Sequence, residues 1–256
     1  MRLTVINSGS KGNCYILHNE REALMLEAGA PFTEVLRAVG PAVCSRINGC
    51  LLSHEHGDHA KYVKDVLDHA IPVYATPGTI DALKGKQSKI CRPVNFLSNL
   101  QDSDEALPWM TERIGGFMVL PFKTIHDAAS PCGFFIKHAD FGHLLFATDT
   151  RFIPNRFKDL TNIMIECNYD EGRLAARTDI PDSLKDRIRM SHQSIDTCIE
   201  ALKANDLSKV CKIILIHISE GDGDVRSFEE RVEKEVHKHT IAAVKGREIE
   251  ISDTPF

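Results

Sequence analysis

The chain has 256 residues, of which 43% are apolar and 26% charged, as in an ordinary globular protein. Its net charge of −5 excludes a chain-wide basic field that would gather nucleic acid, so a polyanion would have to bind a local patch or bound metal. No apolar stretch reaches the ~18–20 residues that span a membrane, and the first apolar run ends at Asn7. We therefore expect neither a signal peptide nor a membrane segment.

The eight cysteines are scattered along the chain and form no C-x-x-C pair. Several lie inside apolar runs, as Cys50 and Cys211 do. This pattern predicts buried free thiols and a cytoplasmic location, because disulfide frameworks belong to oxidising compartments.

Hydrophobic periodicity predicts strands that alternate with helices along the whole chain. The predicted strands are residues 3–6, 15–18, 24–29, 47–52, 71–75, 116–125, 134–137, 144–147, 162–167, 210–216 and 248–252. The predicted helices are residues 31–39, 60–70, 77–83, 195–204 and 227–239. We expect 101–112 to be an irregular connection and 171–189 to be charged and partly mobile. The layout favours one α/β domain, residues 1–256, with two similar halves, about 1–110 and 111–256.

The first turn of the chain, residues 7–14, is rich in small residues and contains Gly9 and Gly12. Such a turn suits a tight hairpin whose backbone approaches a ligand closely. Ser8 and Asn13 are therefore candidate substrate-binding residues, and an ordinary hairpin turn is the alternative.

The strand at 47–52 leads into a cluster of three histidines and one aspartate, namely His54, His56, Asp58 and His59. In extended backbone, residues two apart point to the same side, so His54 and His56 can bind one metal ion together. Asp58 and His59 follow Gly57, where the chain can turn sharply toward a second position. Imidazole and carboxylate are ligands that zinc, manganese and iron accept.

The segment 54–59 matches the pattern H-x-H-x-D-H and thereby resembles the metallo-β-lactamase superfamily of metal-dependent hydrolases. This resemblance implies an αββα sandwich. It also implies ligands from later strand ends, which here are His126, Asp149 and His217. One ion would take His54, His56 and His126, and the other would take Asp58, His59 and His217. Asp149 would bridge the two ions, with a hydroxide between them.

Four further segments resemble the YycJ/WalJ-like branch, a group of single-domain metal-dependent nucleases related more distantly to RNase Z. They are residues 8–14, 124–134, 147–150 and 216–219. The resemblance extends from residue 3 to about 220. It favours a compact nuclease.

His192 precedes the helix at 195–204, and RNase Z and the YycJ-like proteins carry a histidine near the scissile phosphate at a similar place. The resemblance implies that His192 is catalytic or contacts phosphate, and a helix-start histidine without function is the alternative.

Glu27 stands where the superfamily usually has an aspartate that supports the ligands from behind, so its supporting role is open.

The function we predict is a metal-dependent phosphodiesterase that cleaves nucleic acid, with DNA favoured and two zinc or manganese ions, or iron, as cofactors. Asp58 would orient the hydroxide while binding metal, and His192 would donate a proton to the leaving oxygen or bind the phosphate. The alternatives are a hydrolase of a small thioester, lactone, lactam or cyclic phosphodiester, and a non-catalytic metal-binding protein. A homo-oligomer is also open.

The densest basic stretch contains Arg173, Arg177, Lys185, Arg187 and Arg189. Acidic residues interleave with these side chains, so we interpret the stretch as a solvated face. Contact with a phosphate backbone is the alternative.

Overall fold

The computed structural model of the chain describes residues 1–83, 91–93 and 112–254. Within these ranges the strands are β1 (Arg2–Asn7), β2 (Cys14–His18), β3 (Ala23–Leu26), β4 (Ile47–Leu51), β5 (Val73–Ala75), β6 (Cys91–Pro93), β7 (Glu112–Ile114), β8 (Phe117–Lys123), β9 (Cys132–His138), β10 (Gly142–Ala147), β11 (Asn162–Glu166), β12 (Lys212–Ile216), β13 (Thr240–Ala242) and β14 (Glu248–Glu250). The helices are α1 (Phe32–Cys44), α2 (Gly57–Ala60), α3 (Val63–Asp68), α4 (Pro77–Ala82), α5 (Glu171–Ala176), α6 (Asp182–Ser191), α7 (Ile195–Lys203) and α8 (Val225–Val236).

The strands form two seven-stranded sheets of similar design. The first has the order β14-β1-β2-β3-β4-β5-β6, and the second has the order β13-β12-β11-β10-β9-β8-β7. Each sheet is antiparallel on one side and parallel on the other, with the change at β3 in the first sheet and at β10 in the second. The carboxyl ends of parallel strands share one edge, and sites in α/β sheets form there.

Three apolar clusters separate the chain into four layers. In β3, Leu24 and Leu26 belong to the cluster between the two sheets, whereas Met25 faces the cluster under α1 and α3. This alternation is the period-two pattern of a strand that is buried on both faces. A third cluster joins the second sheet to α7 and α8. The order helix, sheet, sheet, helix confirms the predicted αββα sandwich.

Several predicted elements have different limits. The predicted helix at 60–70 is two short helices, α2 and α3, because Tyr62 between them leaves helical backbone geometry. The predicted helix at 31–39 extends to Cys44 through a kink, where Gly40 has φ 77°.

The charged segment 171–189, expected to be partly mobile, instead forms α5 and α6. Ion pairs hold these two helices, since the Arg189 guanidinium lies 2.6 Å from Glu171 and 3.0 Å from Asp186. Strand β13 was not predicted.

Some predictions concern residues outside the described ranges. The irregular connection at 101–112 lies there except for Glu112, which opens β7. The extent of the single domain, residues 1–256, stays a prediction. Seven cysteines are free thiols, namely Cys14, Cys44, Cys50, Cys132, Cys167, Cys198 and Cys211. No described helix has the length and apolarity that crossing a membrane requires.

Candidate metal centre and its cavity

His54 and His56 lie on the loop that joins β4 to α2, as the sequence predicts, whereas Asp58 and His59 lie in the short helix α2 itself. Two neighbouring loops pack closely against this segment. The Asn13 N–H, in the loop before β2, donates to the Asp58 carbonyl oxygen at 2.7 Å, and the Ala28 N–H, in the loop after β3, donates to the His59 carbonyl oxygen at 2.7 Å. A Cβ atom at Gly29 would clash with the Asp58 carbonyl oxygen, so this approach requires glycine. The motif loop is thus fixed by backbone contacts.

The remaining ligand-type residues follow strands of the second sheet. Asp149 comes two residues after β10 ends, and His217 directly follows β12. Both residues have left-handed backbone, with φ 44° and 54°, and Glu27 after β3 has φ 64°. Such conformations are disfavoured for residues other than glycine and concentrate at functional sites. The fold therefore holds these three side chains in uncommon directions.

Three histidines form a first group, His54, His56 and His126, whose candidate ligand atoms lie within 4.8 Å of one another. The His56 Nδ1 and His126 Nε2 atoms are 3.1 Å apart. The His54 Nε2 atom is buried without a hydrogen-bond partner in the described part of the chain. A buried ring nitrogen without a partner is unfavourable unless a cation occupies the space in front of it.

The second group contains Asp58, His59, Asp149 and His217, also within 4.8 Å of one another. Asp149 Oδ1 lies 3.2 Å from His59 Nε2 and 3.3 Å from His217 Nδ1. Asp58 Oδ2 lies 3.2 Å from His217 Nε2 and 3.3 Å from His59 Nε2. Asp149 Oδ2 also lies 3.8 Å from His54 Nε2, so this carboxylate stands between the two groups.

The two groups differ in charge. Burial lowers the pKa of His54 well below its usual value, and burial also lowers the pKa of His126, so these two rings are neutral, which is the form that can bind a metal ion. Burial acts in the same direction on His217, but the carboxylates of Asp149, Asp58 and Glu166 together outweigh it and raise the pKa of His217 to about 10. The pKa of His59 is raised in the same way.

The carboxylates of the second group are held ionised. Burial raises the pKa of Asp58, but hydrogen bonds from His217 and His59 outweigh it and lower the pKa overall. Without metal, protons on the histidines balance these carboxylates, and a metal ion would replace those protons. The imidazole and carboxylate set, with its unpartnered nitrogen, fits divalent cations.

Glu27 is fully buried behind the second group. Its Oε2 lies 3.3 Å from His59 Nδ1, and its Oε1 accepts a hydrogen bond from the Ser53 N–H at 3.2 Å. Despite the extra methylene, the side chain reaches the position from which a carboxylate orients a ligating histidine.

Sequence reasoning missed Glu166, the last residue of β11, which is also fully buried. Its Oε1 accepts hydrogen bonds from His192 Nδ1 at 2.7 Å and from His217 Nδ1 at 3.0 Å. The signal was present, because β11 is an apolar strand that ends on a carboxylate, as the strand before Glu27 does. Asn168, whose amide donates to the His217 carbonyl oxygen at 2.8 Å, was missed as well.

Ser8 and Asn13, the predicted substrate-binding residues, contact other residues of the site and do not line its cavity. Ser8 Oγ accepts a hydrogen bond from the His217 N–H at 3.0 Å, and the buried Asn13 amide lies 3.1 Å from His59 Nε2. Neither residue lines the cavity described next, whereas Ser10 of the same turn does. Both polar groups are used to hold ligand-type residues, which leaves them behind the site.

A cavity of about 410 Å³ opens over the two groups. Its wall is formed by Ser10, His56, Gly57, Asp58, His126, Asp127, Asp149, Asn168, Leu184, Arg187, Ile188, His192, His217, Ser219 and Asp222. His192 therefore lies beside the ligand-type residues and faces the same space as they do. His54, His59 and Glu27 stand behind that wall.

The fold and this arrangement of histidines and aspartates define a hydrolase of the metallo-β-lactamase fold with candidate metal ligands. The family "Beta-lactamase superfamily domain" matches residues 28–218, so the chain belongs to this family.

Two relatives and one solved structure add detail. The chain is 28% identical to exodeoxyribonuclease YycJ of Bacillus anthracis over 195 residues, which cover 73% of this chain and 70% of the relative. It is 25% identical to exodeoxyribonuclease WalJ of Streptococcus pneumoniae serotype 2 over 235 residues, which cover 85% and 81%. Human tRNase Z, short form, superposes with a TM-score of 0.65 at 15% identity and covers 98% of this chain and 99% of its own. The resemblance noted in the sequence is confirmed.

Proposed function

We propose that this chain is a metal-dependent phosphodiesterase that cleaves nucleic acid, with DNA as its substrate. The family and the names of the two bacterial relatives support a nuclease. The observation that carries the proposal is the pairing of His192 with Glu166 beside the ligand-type residues.

This pair suits a phosphodiester because the leaving sugar oxygen must gain a proton. Glu166 accepts the Nδ1–H of His192, so Nε2 is the nitrogen that can act on a substrate. Burial lowers the pKa of His192, but the Glu166 carboxylate outweighs it and raises the pKa above its usual value. The ring therefore keeps a proton to donate near neutral pH. A thioester releases a thiol with a pKa of about 8.5, and this leaving group needs much less protonation.

We also propose that the two groups hold two divalent ions, with Asp149 shared between them. Zinc or manganese suits these ligands, and iron is a further candidate. Bound ions of this kind would acidify a water molecule and neutralise charge on the phosphoryl oxygens.

The chain's own residues would then divide the work. We infer that Asp58, which lines the cavity, orients the attacking water and is one of the residues that would hold metal. As the water oxygen bonds to phosphorus, the water releases one proton to solvent, the bond to the sugar oxygen breaks, and His192 gives its Nε2 proton to that oxygen. Glu166 keeps the ring oriented throughout. Glu27 holds His59 from behind.

An activity screen tests this function. Purified protein is loaded with zinc or with manganese and given labelled DNA, labelled RNA and a thioester, while elemental analysis counts the ions per chain. We expect two ions and cleavage of DNA in preference to the other substrates. Saturation at one ion under both metals would contradict the two-ion site, and hydrolysis of the thioester alone would contradict the nuclease. A cytoplasmic location and a homo-oligomeric state stay predictions.

A further inference from the structure

One wall of the cavity is a face of α6. Leu184, Arg187 and Ile188 are spaced three and four residues apart, which places them on one side of the helix, and all three line the cavity. Leu184 is 38% exposed, so part of its apolar side chain is accessible on this face. This face therefore offers a positive charge flanked by apolar surface, the two properties that a nucleotide needs for its phosphate and its base.

Arg187 is the only lysine or arginine among the described residues that line the cavity. The same wall carries four acidic residues, Asp58, Asp127, Asp149 and Asp222. Metal ions would balance Asp58 and Asp149, and Arg177 pairs with Asp222 at 3.1 Å. A phosphate outside the metal site has Arg187 as its one guanidinium partner on this wall.

The present partner of Arg187 is Asp127, at 2.9 Å from Nη2 and 3.0 Å from Nε. The Arg187 side chain is 63% exposed, and exposed ion pairs contribute only ~0–1 kcal/mol. Asp127 has a second partner, since the Ser191 hydroxyl donates to its Oδ1 at 3.2 Å. A phosphate can therefore take over Arg187 without leaving the aspartate unpaired.

The place of this pair fixes which phosphate Arg187 can reach. Asp127 Oδ1 lies 3.5 Å from the Nε2 atom of His126, a member of the first ligand-type group. The Arg187 guanidinium lies on the other side of that carboxylate. The Asp127 carboxylate thus separates the guanidinium from the candidate metal position, so a phosphate that contacts Arg187 can be a different one from the phosphate at the metal position.

We propose that Arg187 is a specificity-determining residue that binds the phosphate next to the scissile one, so that substrates with at least two linked phosphodiesters are preferred. This proposal rests on the proposed nuclease function. The planar guanidinium suits two parallel hydrogen bonds to phosphate oxygens, which lysine cannot reproduce. Neighbouring phosphates belong to oligonucleotides and are absent from small phosphodiesters.

Arg173 provides a matched control. Its guanidinium pairs with Asp224 at 3.0 Å and its side chain is 50% exposed, so its setting resembles that of Arg187. Arg173 does not line the cavity. Replacement of either arginine by alanine removes the same charge and a similar ion pair.

The experiment compares Arg187→Ala, Arg187→Lys and Arg173→Ala on a single-stranded oligodeoxynucleotide and on bis(4-nitrophenyl) phosphate, which has one phosphorus. We expect Arg187→Ala to raise KM for the oligonucleotide ~10–150-fold with kcat little changed, the range for one charged hydrogen-bonding contact. The lysine variant should recover part of this loss, and the small diester should show no change. Binding of a fluorescent oligonucleotide is measured in the His192→Ala background. There Arg187→Ala should weaken binding by the same factor by which it raises KM, and the slope of log K against log salt concentration should fall by about one.

Equal losses on both substrates, or equal effects of the Arg173 and Arg187 changes, would overturn the assignment, and so would unchanged binding. A wild-type protein that binds the oligonucleotide through Arg187 but does not cleave it would overturn the nuclease function and the position next to a scissile phosphate, and would leave Arg187 as a phosphate contact only. A wild-type protein that neither binds nor cleaves it would overturn both.

Discussion

Each half of the molecule places one fully buried glutamate behind the site, and the surroundings of these two residues differ. Glu27, after β3, has one histidine neighbour, His59, and the backbone N–H of Ser53. Glu166, at the end of β11, accepts hydrogen bonds from two histidines, His192 and His217. It also accepts from the backbone N–H groups of two further residues, Thr150 at 2.9 Å and Gln193 at 3.3 Å.

The number of partners decides the sign of each pKa shift. Burial raises the pKa of Glu27, and the hydrogen bond with His59 offsets this only in part. Burial acts alike on Glu166, but the charge and hydrogen bond of His192 outweigh it and lower the pKa. Glu166 is thus held as a carboxylate by the protein itself, whereas the charge of Glu27 remains unfavourable where it lies. The comparison suggests that the ionised form of Glu27 depends more on a nearby bound cation than the ionised form of Glu166 does.

The largest effect is expected from Asp149→Ala, because Asp149 contacts histidines from both halves of the chain. Its Oδ1 lies close to His59 of the first half and to His217 of the second half. We expect hydrolysis to fall below detection and the metal content to drop, as measured by a DNA cleavage assay and elemental analysis.

Asp127→Ala is the control for this change, because Asp127 also lines the cavity but belongs to neither group. Its loss should stay within the ~10–100-fold typical of residues that support ligands. Equal impairment of the two variants would show that Asp149 is not the shared ligand.

The next largest effect is expected from His192→Ala, which removes the proposed proton donor beside Glu166 and leaves Glu27 and His59 unchanged. We expect both metal ions to remain and DNA cleavage to fall ~10²–10⁴-fold, the usual contribution of general acid–base catalysis. The loss should be smaller on bis(4-nitrophenyl) phosphate, because nitrophenolate leaves without a proton. A similar loss on both substrates, together with lost metal, would make His192 a ligand.

Substitution of the glutamates themselves tests the comparison directly. Glu166→Gln should lower kcat on DNA at saturating metal, because two histidines lose their carboxylate partner. Glu27→Gln should instead weaken metal binding ~10–100-fold and leave kcat near wild type once metal is saturating. Metal titrations followed by activity measure both effects. The interpretation fails if the two variants show the same pattern.

The smallest effect is the pH dependence of unfolding in metal-free protein. The folded-state pKa of Glu27 is raised, so wild type loses stability as pH rises above the usual value of 4.5, and Glu27→Gln should become relatively more stable. The folded-state pKa of Glu166 is lowered, so its contribution is present above 4.5 and is lost as pH falls through the lower folded value. Glu166→Gln should therefore be less stable than wild type at neutral pH, and the difference should shrink in acid.

Urea unfolding in chelator, over a series of pH values, measures both differences against wild type. Opposite trends for the two variants would support the contrast between the glutamates. Parallel trends would contradict it.

Local pattern was enough to predict most of the strands and helices, and the family resemblance implied the αββα order of layers. Alternation of apolar residues, as in β3, directly reports which faces are buried. Element limits failed where long-range contacts decided them. Ion pairs between α5 and α6 order a segment whose charge pattern suggested mobility, and β13 forms because β12 supplies its hydrogen-bonding partner.

The site shows the same division. The sequence by itself determined the motif from His54 to His59, because four ligand-type residues within six positions need only one turn to converge. Family resemblance was needed to add His126, Asp149 and His217. Only the tertiary structure showed that Glu166 stands behind two histidines, and that Ser8 and Asn13 support the site from behind. Left-handed backbone decides the direction in which a side chain points at a strand end, and packing between the two sheets decides how deeply it is buried. Both depend on contacts between residues that are far apart in the chain.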